Sequence, residues 1–220
     1  MKAKYNMTVE QNIFVAKKYI VQYVYNSAKL EGLGVTFPDT QTIFDGVSVE
    51  GLPVHEVIAV NNLKRTWYFL FDTLEPPLDY VYLCKLNQLV GGDDLISNAG
   101  YIRTLPVRIG GTEWAPAMPT EDGIKAGLAE LEQIESPTLR AIKTMLYCMR
   151  GQFYLDGNKR TAMLAANKVM IENGCGVITV TEKLVSRFNP LLVEYYETGN
   201  DEKIVKFIYD NCIDGMPFEN

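Results

Sequence analysis

Histidine is nearly missing from this 220-residue chain: His55 stands alone. A metal centre built on two or three imidazoles within one chain is therefore excluded, and any imidazole catalysis would have to use His55. Cysteine is scarce and scattered. Cys84, Cys148, Cys175 and Cys212 form no CxxC pair, so they read as small apolar core residues, not as a disulfide framework or zinc motif. A basic surplus is absent as well, with 21 Lys+Arg against 27 Asp+Glu and a formal charge of −6, which argues against a nucleic-acid partner. The longest strongly apolar run, Trp67-Tyr68-Phe69-Leu70-Phe71, is about a quarter of the roughly 20 residues a membrane span needs. No membrane association is expected. The opening MKAKYNMTVEQN lacks the apolar stretch and cleavage site of a secretory signal, so a cytoplasmic location is expected. No repeat, linker or low-complexity segment interrupts the chain.

What is present is an ordinary globular composition, 47% hydrophobic and 22% charged, patterned mostly at helical spacing. Thr8-Val9-Glu10-Gln11 has capping-box spacing, and Ile13, Ala16, Ile20, Tyr23, Val24, Ser27 and Leu30 follow until Gly32 and Gly34, which predicts one long first helix. A short helical segment is expected around Asp39–Phe44, a second long helix from Pro53 to about Leu74, and a third over Leu78–Val90. Residues 99–119, rich in β-formers, prolines and the pair Gly110-Gly111, read as extended or hairpin chain. Helices are predicted again over Glu121–Gln133, Pro137–Met149, from Asp156-Gly157-Asn158 to Asn173-Gly174, over Glu182–Tyr196 with a break near Pro190, and over Asp201–Asn211. Ala162, Ala165, Ala166, Val169 and Met170 make the helix that follows Asp156-Gly157-Asn158 the best amphipathic pattern in the chain. One all-α domain spanning 1–220 with a small β-hairpin is the simplest reading.

Chemistry concentrates in Gln152-Phe153-Tyr154-Leu155-Asp156-Gly157-Asn158-Lys159-Arg160-Thr161. A helix amino terminus has unpaired N–H groups and the positive end of its dipole, so Lys159 and Arg160 in the first turn stand against the field. Two readings follow. Either phosphates normally sit there, with Asp156 as a Mg²⁺ ligand, or Asp-Gly-Asn is a plain turn followed by solvated cations.

This stretch resembles the signature of the Fic (Fido) family, His-x-Phe-x-[Asp/Glu]-Gly-Asn-[Gly/Lys]-Arg, and its Asp-Gly-Asn-Lys-Arg-Thr-Ala form is similar to the branch that includes the death-on-curing toxins. The resemblance extends over nearly the whole chain. It implies an all-α Fic-type domain with an amino-terminal helix and candidate inhibitory motif over 1–34, a flap over 99–119, and a signature loop and helix over 152–173. It also implies ATP as ligand or substrate, Mg²⁺ on Asp156, and AMP transfer to a Ser, Thr or Tyr hydroxyl of a protein target. In the death-on-curing branch phosphate is transferred instead. By the same resemblance, Gly157 and Asn158 would form the anion hole and Lys159 and Arg160 would neutralise phosphate charge. An extended target segment would pair with Ile109, Gly110, Gly111 and Thr112. Ser27-Ala28-Lys29-Leu30-Glu31-Gly32 resembles the inhibitory helix, with Glu31 as the inhibitory residue, and a homodimer is compatible with the family.

Two positions depart from that pattern. Gln152 occupies the catalytic His position, and loss of a general base costs about 10²–10⁴ in rate. The sequence therefore leaves open a weakened transferase or a nucleotide- or partner-binding module without turnover. Met163 stands where many family members carry a second arginine that meets the inhibitory Glu, leaving Glu31 to pair with Arg160 or Lys159 or to serve as a solvated or capping carboxylate. His55 reads as an ordinary helix residue, Trp67, Tyr68, Phe69 and Phe71 as core, Tyr195-Tyr196 as packing or an adenine wall, and Trp114 as an exposed aromatic for flap contacts.

Overall fold

The computed structural model describes residues 1–218. Ten helices run in the order α1 (Val9–Lys18), α2 (Ile20–Leu30), α3 (Phe37–Phe44), α4 (Val54–Asp72), α5 (Tyr80–Val90), α6 (Glu121–Glu132), α7 (Pro137–Gly151), α8 (Asn158–Glu172), α9 (Glu182–Thr198) and α10 (Glu202–Asn211). Strand β1 (Val177–Ile178) precedes α9, and β2 (Ile213–Asp214) follows α10. The two pair antiparallel, Val177 opposite Asp214 and Ile178 opposite Ile213.

Helix α8 is the axis of the molecule. It packs along α7 and is also touched by α5, α4, α1 and β1, so every residue in it except Lys159 and Glu172 is buried. The amphipathic expectation is corrected here. One face is the apolar stripe seen in the sequence, and the opposite face is buried too because its polar side chains have partners. Asn167 brackets the Ile178 peptide, donating to its carbonyl at 2.9 Å and accepting its N–H at 2.7 Å. Lys168 donates to the Leu74 carbonyl at 2.9 Å and pairs with Glu172 at 2.6 Å. A buried polar group satisfied in this way avoids most of its desolvation cost.

Three further expectations change in detail. The single first helix is two helices, broken at Tyr19 (φ −110°, ψ 14°), because α1 packs on α8 whereas α2 packs on α3, α4 and α9. Pro190 sits inside an unbroken α9. Both Pro190 and Ser186, whose carbonyl loses its partner, lie on the exposed side, where water satisfies the freed group. Residues 99–119 form an extended excursion with a turn at Gly110-Gly111 and no strand pairing, since Pro106, Pro116 and Pro119 supply no N–H donors.

Arg103 fastens that excursion. It is 2% exposed and has no carboxylate partner among the described residues. Its guanidinium donates instead to the carbonyls of Leu105 (2.9 Å), Pro116 (3.2 Å), Ala117 (2.6 Å) and Gln152 (2.6 Å). Both stems of the flap are thereby tied to the residue that opens the signature. Cys148, Cys175 and Cys212 are buried, Cys84 is half-buried, and all four are free thiols. No helix of the described residues is long and apolar enough to cross a membrane.

Candidate active site

Helix α7 ends at Gly151, where a Cβ would lie 2.2 Å from the Phe153 ring. Gln152 then turns the chain in the left-handed region (φ 45°, ψ 56°), a conformation that is costly for a side chain of its size. Its carboxamide is immobilised. Nε2 donates to the Met149 carbonyl at 2.6 Å, and Oε1 accepts from Asn158 Nδ2 at 3.2 Å. Beside it, burial, followed by the charge of Glu31, raises the pKa of the Tyr196 phenol. Tyr196 is thus a protonated neighbour of Gln152, not a base.

The loop that follows is shaped by Gly157. It adopts φ 75°, and a Cβ there would meet Ile96 Cδ1 at 2.9 Å. No side chain caps α8. The first N–H to bond back into the helix is that of Thr161, to the Gly157 carbonyl at 2.9 Å. The N–H groups of Asn158, Lys159 and Arg160 are left over, as at any helix start. The Asn158 side chain, expected to touch phosphate, is occupied: it accepts from Tyr154 N–H at 3.0 Å and donates to the Tyr154 carbonyl at 2.8 Å and to Gln152. Its available donor is the backbone N–H.

Glu31 closes the site. It terminates α2 just before Gly32 (φ 82°) and lies 3.5 Å from Lys159 Nζ and 3.6 Å from Arg160 Nε. These are charge contacts without a hydrogen bond to Arg160: Glu31 Oε1 and Arg160 Nε are both buried and unpartnered. Such a pair carries desolvation costs that its geometry does not fully offset. Met163 is core, 4% exposed. The absent second arginine therefore leaves the contact to Arg160 and Lys159.

Asp156 projects outward, its side chain 65% exposed. Oδ1 accepts from Gly157 N–H at 2.5 Å and from Arg160 at 3.4 Å, and Oδ2 has no partner among the described residues. No cluster of three metal-ligating side chains occurs among those residues. The donor set fits Mg²⁺ held by one carboxylate with phosphate oxygens and water, and does not fit an all-protein metal cage.

The flap lies against α7 and α9. Trp114 is half-buried, not exposed: its Nε1 donates to the Arg150 carbonyl at 3.4 Å, and the Arg150 guanidinium stacks 3.7 Å above its ring. Glu113 N–H donates to Glu197 at 3.3 Å. At the tip Gly110 and Gly111 are exposed, Ile109 packs in part on the core, and Thr112 Oγ1 accepts the Trp114 N–H. Tyr195 and Tyr196 are buried packing residues. His55 is exposed in the first turn of α4, and its neighbour Glu56 accepts the Gly34 N–H at 3.0 Å. Trp67 and Phe71 are buried as expected, whereas Tyr68 is 41% exposed.

Two supports of the site carry no local sequence signal. Asn87 of α5, fully buried, donates to the Asp156 carbonyl and Thr161 Oγ1, both at 3.1 Å, and accepts Gly100 N–H at 2.8 Å. Arg103 holds Gln152 from the other side. A cavity of about 510 Å³ among α5, α6, α7 and α8 and one of about 390 Å³ beside the flap both exclude residues 156–160. Chemistry and not cavity size therefore marks the site.

Residues 77–170 match the model of the Fic/DOC family. Among solved structures, the fold is similar to a fragment of Fic-1 from C. elegans, with TM-score 0.75 and 21% identity over 90% of this chain and 61% of that one. It is similar to a Fic domain containing signaling protein from Bacteroides thetaiotaomicron, with TM-score 0.74 and 19% identity over 93% and 85%. A Fic family protein from Desulfovibrio desulfuricans gives TM-score 0.73 and 18% identity over 88% and 62%. The chain thus spans less than two thirds of the first and third of these relatives. At such identities the likeness concerns the fold. No curated protein matches the sequence.

Proposed function

Residues 77–170 belong to the Fic/DOC family and the helical frame around them has the Fic fold, and from this premise we propose that the chain binds a nucleotide through the Asp156–Arg160 loop. Members of this family typically transfer AMP or a similar group to proteins. The observation that carries the reading is the incomplete pairing at the loop. Three backbone N–H groups are unused, and two cations are countered by a carboxylate whose Oε1, like Arg160 Nε, makes no hydrogen bond. Phosphate oxygens would satisfy all of these donors. Mg²⁺, when bound, would be held by Asp156 with phosphate oxygens and water and would offset the phosphate charge.

In AMP transfer, a Ser, Thr or Tyr hydroxyl oxygen of the protein target would attack the α-phosphorus and pyrophosphate would leave. The hydroxyl proton then needs an acceptor. Gln152 does not accept a proton near neutral pH, and its Oε1 already receives the Asn158 N–H. Missing that base slows transfer by about 10²–10⁴, roughly 3–5 kcal/mol of barrier. Positioning and charge stabilisation at the loop would support a residual rate. The second reading, a nucleotide-binding module without turnover, is favoured by one observation: the Gln152 carboxamide is locked at both ends.

Calorimetry on Arg160→Ala tests the binding site. We expect ATP and ADP affinity to fall more than tenfold, as loss of a charge-assisted hydrogen bond of about 1.5–3 kcal/mol requires. Equal affinity in wild type and variant would remove the loop as the nucleotide site.

A further inference from the structure

The pocket of about 390 Å³ beside the flap falls within the range of about 300–1,000 Å³ typical of ligand sites, yet one of its sides is extended chain. Ile124 and Tyr147 line it from the helices, Phe153 from the loop after α7, and Pro116, Ala117 and Met118 from the flap stem. Arg150 lines it too. That guanidinium lies between two aromatic rings, 3.7 Å from the Trp114 centroid and 5.6 Å from that of Tyr195, and its Nε donates to the Tyr196 carbonyl at 3.2 Å. Its two terminal amino groups donate to no acceptor among the described residues, and no carboxylate there bridges it. Two acids of this region are engaged elsewhere: Asp201 pairs with Lys143, and Glu197 accepts the Glu113 N–H.

A guanidinium held flat by aromatic faces presents its N–H edge for a planar, two-pronged acceptor, the arrangement a carboxylate matches best. Beside it the pocket offers apolar contact. The stem over residues 112–119 has no strand partner; the Glu113 and Trp114 N–H groups and the Pro116 and Ala117 carbonyls are already used, which leaves the backbone groups of Ala115 and Met118 for an extended chain. We propose that this is a specificity pocket for the protein target, in which a segment laid along the flap stem inserts an aromatic or large aliphatic side chain and an adjacent Asp or Glu pairs with Arg150. The proposal deepens the reading above, resting on its premise that the target is a protein, and it does not require nucleotide or Gln152.

Fluorescence polarisation with the full chain and no nucleotide tests it, using three labelled nonapeptides that differ at two central positions: Phe-Asp, Phe-Lys and Ala-Asp. Wild type should bind Phe-Asp about tenfold or more tighter than either of the others. Arg150→Glu should invert the order of Phe-Asp and Phe-Lys, a reversal that mere loosening of the flap does not produce. Ala117→Trp, which fills the pocket and leaves the guanidinium in place, should weaken Phe-Asp at least tenfold, and this variant decides the matter if Arg150→Glu does not fold. No preference among the peptides in wild type, or a preference for Phe-Asp that survives in either folded variant, overturns the proposal. Failure of nucleotide binding with the peptide preference intact would remove only the nucleotide reading.

Discussion

At position 152 the side chain donates to the Met149 carbonyl and accepts from Asn158; a neutral imidazole there supplies one N–H donor and, unlike an amide oxygen, a nitrogen that takes up a proton near neutral pH. Gln152→His should therefore raise transfer of label from nucleotide to protein by about 10²-fold or more. Parallel incubations with α-labelled and γ-labelled ATP identify the group. Label from α-ATP means AMP transfer, and label from γ-ATP alone means phosphate transfer. If the variant is as inert as wild type with both labels, on its own hydroxyls and in lysate, the missing-base account fails and the binding module stands. Tyr196 does not substitute for that base, because burial and the Glu31 charge keep its phenol protonated. Glu31 itself lies on Lys159 and Arg160, where a terminal phosphate would compete with its charge. Glu31→Gly should tighten ATP binding more than ADP binding in calorimetry; an unchanged ratio would mean that the carboxylate does not oppose the γ-phosphate.

At the scale of elements, periodicity and punctuation found nearly every helix, because Gly, Pro and capping residues act within one turn. Thr8 and Gln11 form the reciprocal cap, and Pro137 opens α7. The break at Tyr19 was invisible, since no Gly or Pro marks it and only the divergent packing of α1 and α2 demands it. The burial of α8 on every side was equally invisible, because Lys168 and Asn167 look solvent-facing until the Leu74 carbonyl arrives from a distant part of the chain and the Ile178 peptide folds back across the helix end. The site divides in the same way. Asp156–Arg160 was legible as an anion loop from local chemistry alone. The occupied Asn158 carboxamide depends on the loop's folded geometry, and Asn87, Arg103 and the Trp114–Arg150 stack act across tens of residues, which no local pattern encodes.

At the scale of the whole molecule, the amino-terminal residues strap the carboxy-terminal half to the core. Met7 N–H donates to the Gly174 carbonyl at 3.0 Å, Ser136 Oγ to the Met1 carbonyl at 2.7 Å, and Lys4 Nζ to the Asp210 carbonyl at 2.9 Å. Gly174 is the tightest point. It has φ 65°, and a Cβ would fall 1.9 Å from the Met7 oxygen. Gly174→Ala should cost about 1–3 kcal/mol through strain and overpacking, lowering Tm by roughly 2–10 °C with nucleotide affinity unchanged. Thermal denaturation showing an unaltered Tm would mean that the strap holds nothing. The burial of α8 reaches furthest. Asn158, Arg160 and Thr161 sit inside the core, and Gly157 combines φ 75° with a Cβ position tight against Ile96, so packing alone holds most of this motif in place whether or not a reaction depends on it. Position 152 lies outside that helix. Architecture thus fixes the spelling of the helix start, and position 152, at its entrance, is left for chemistry to decide.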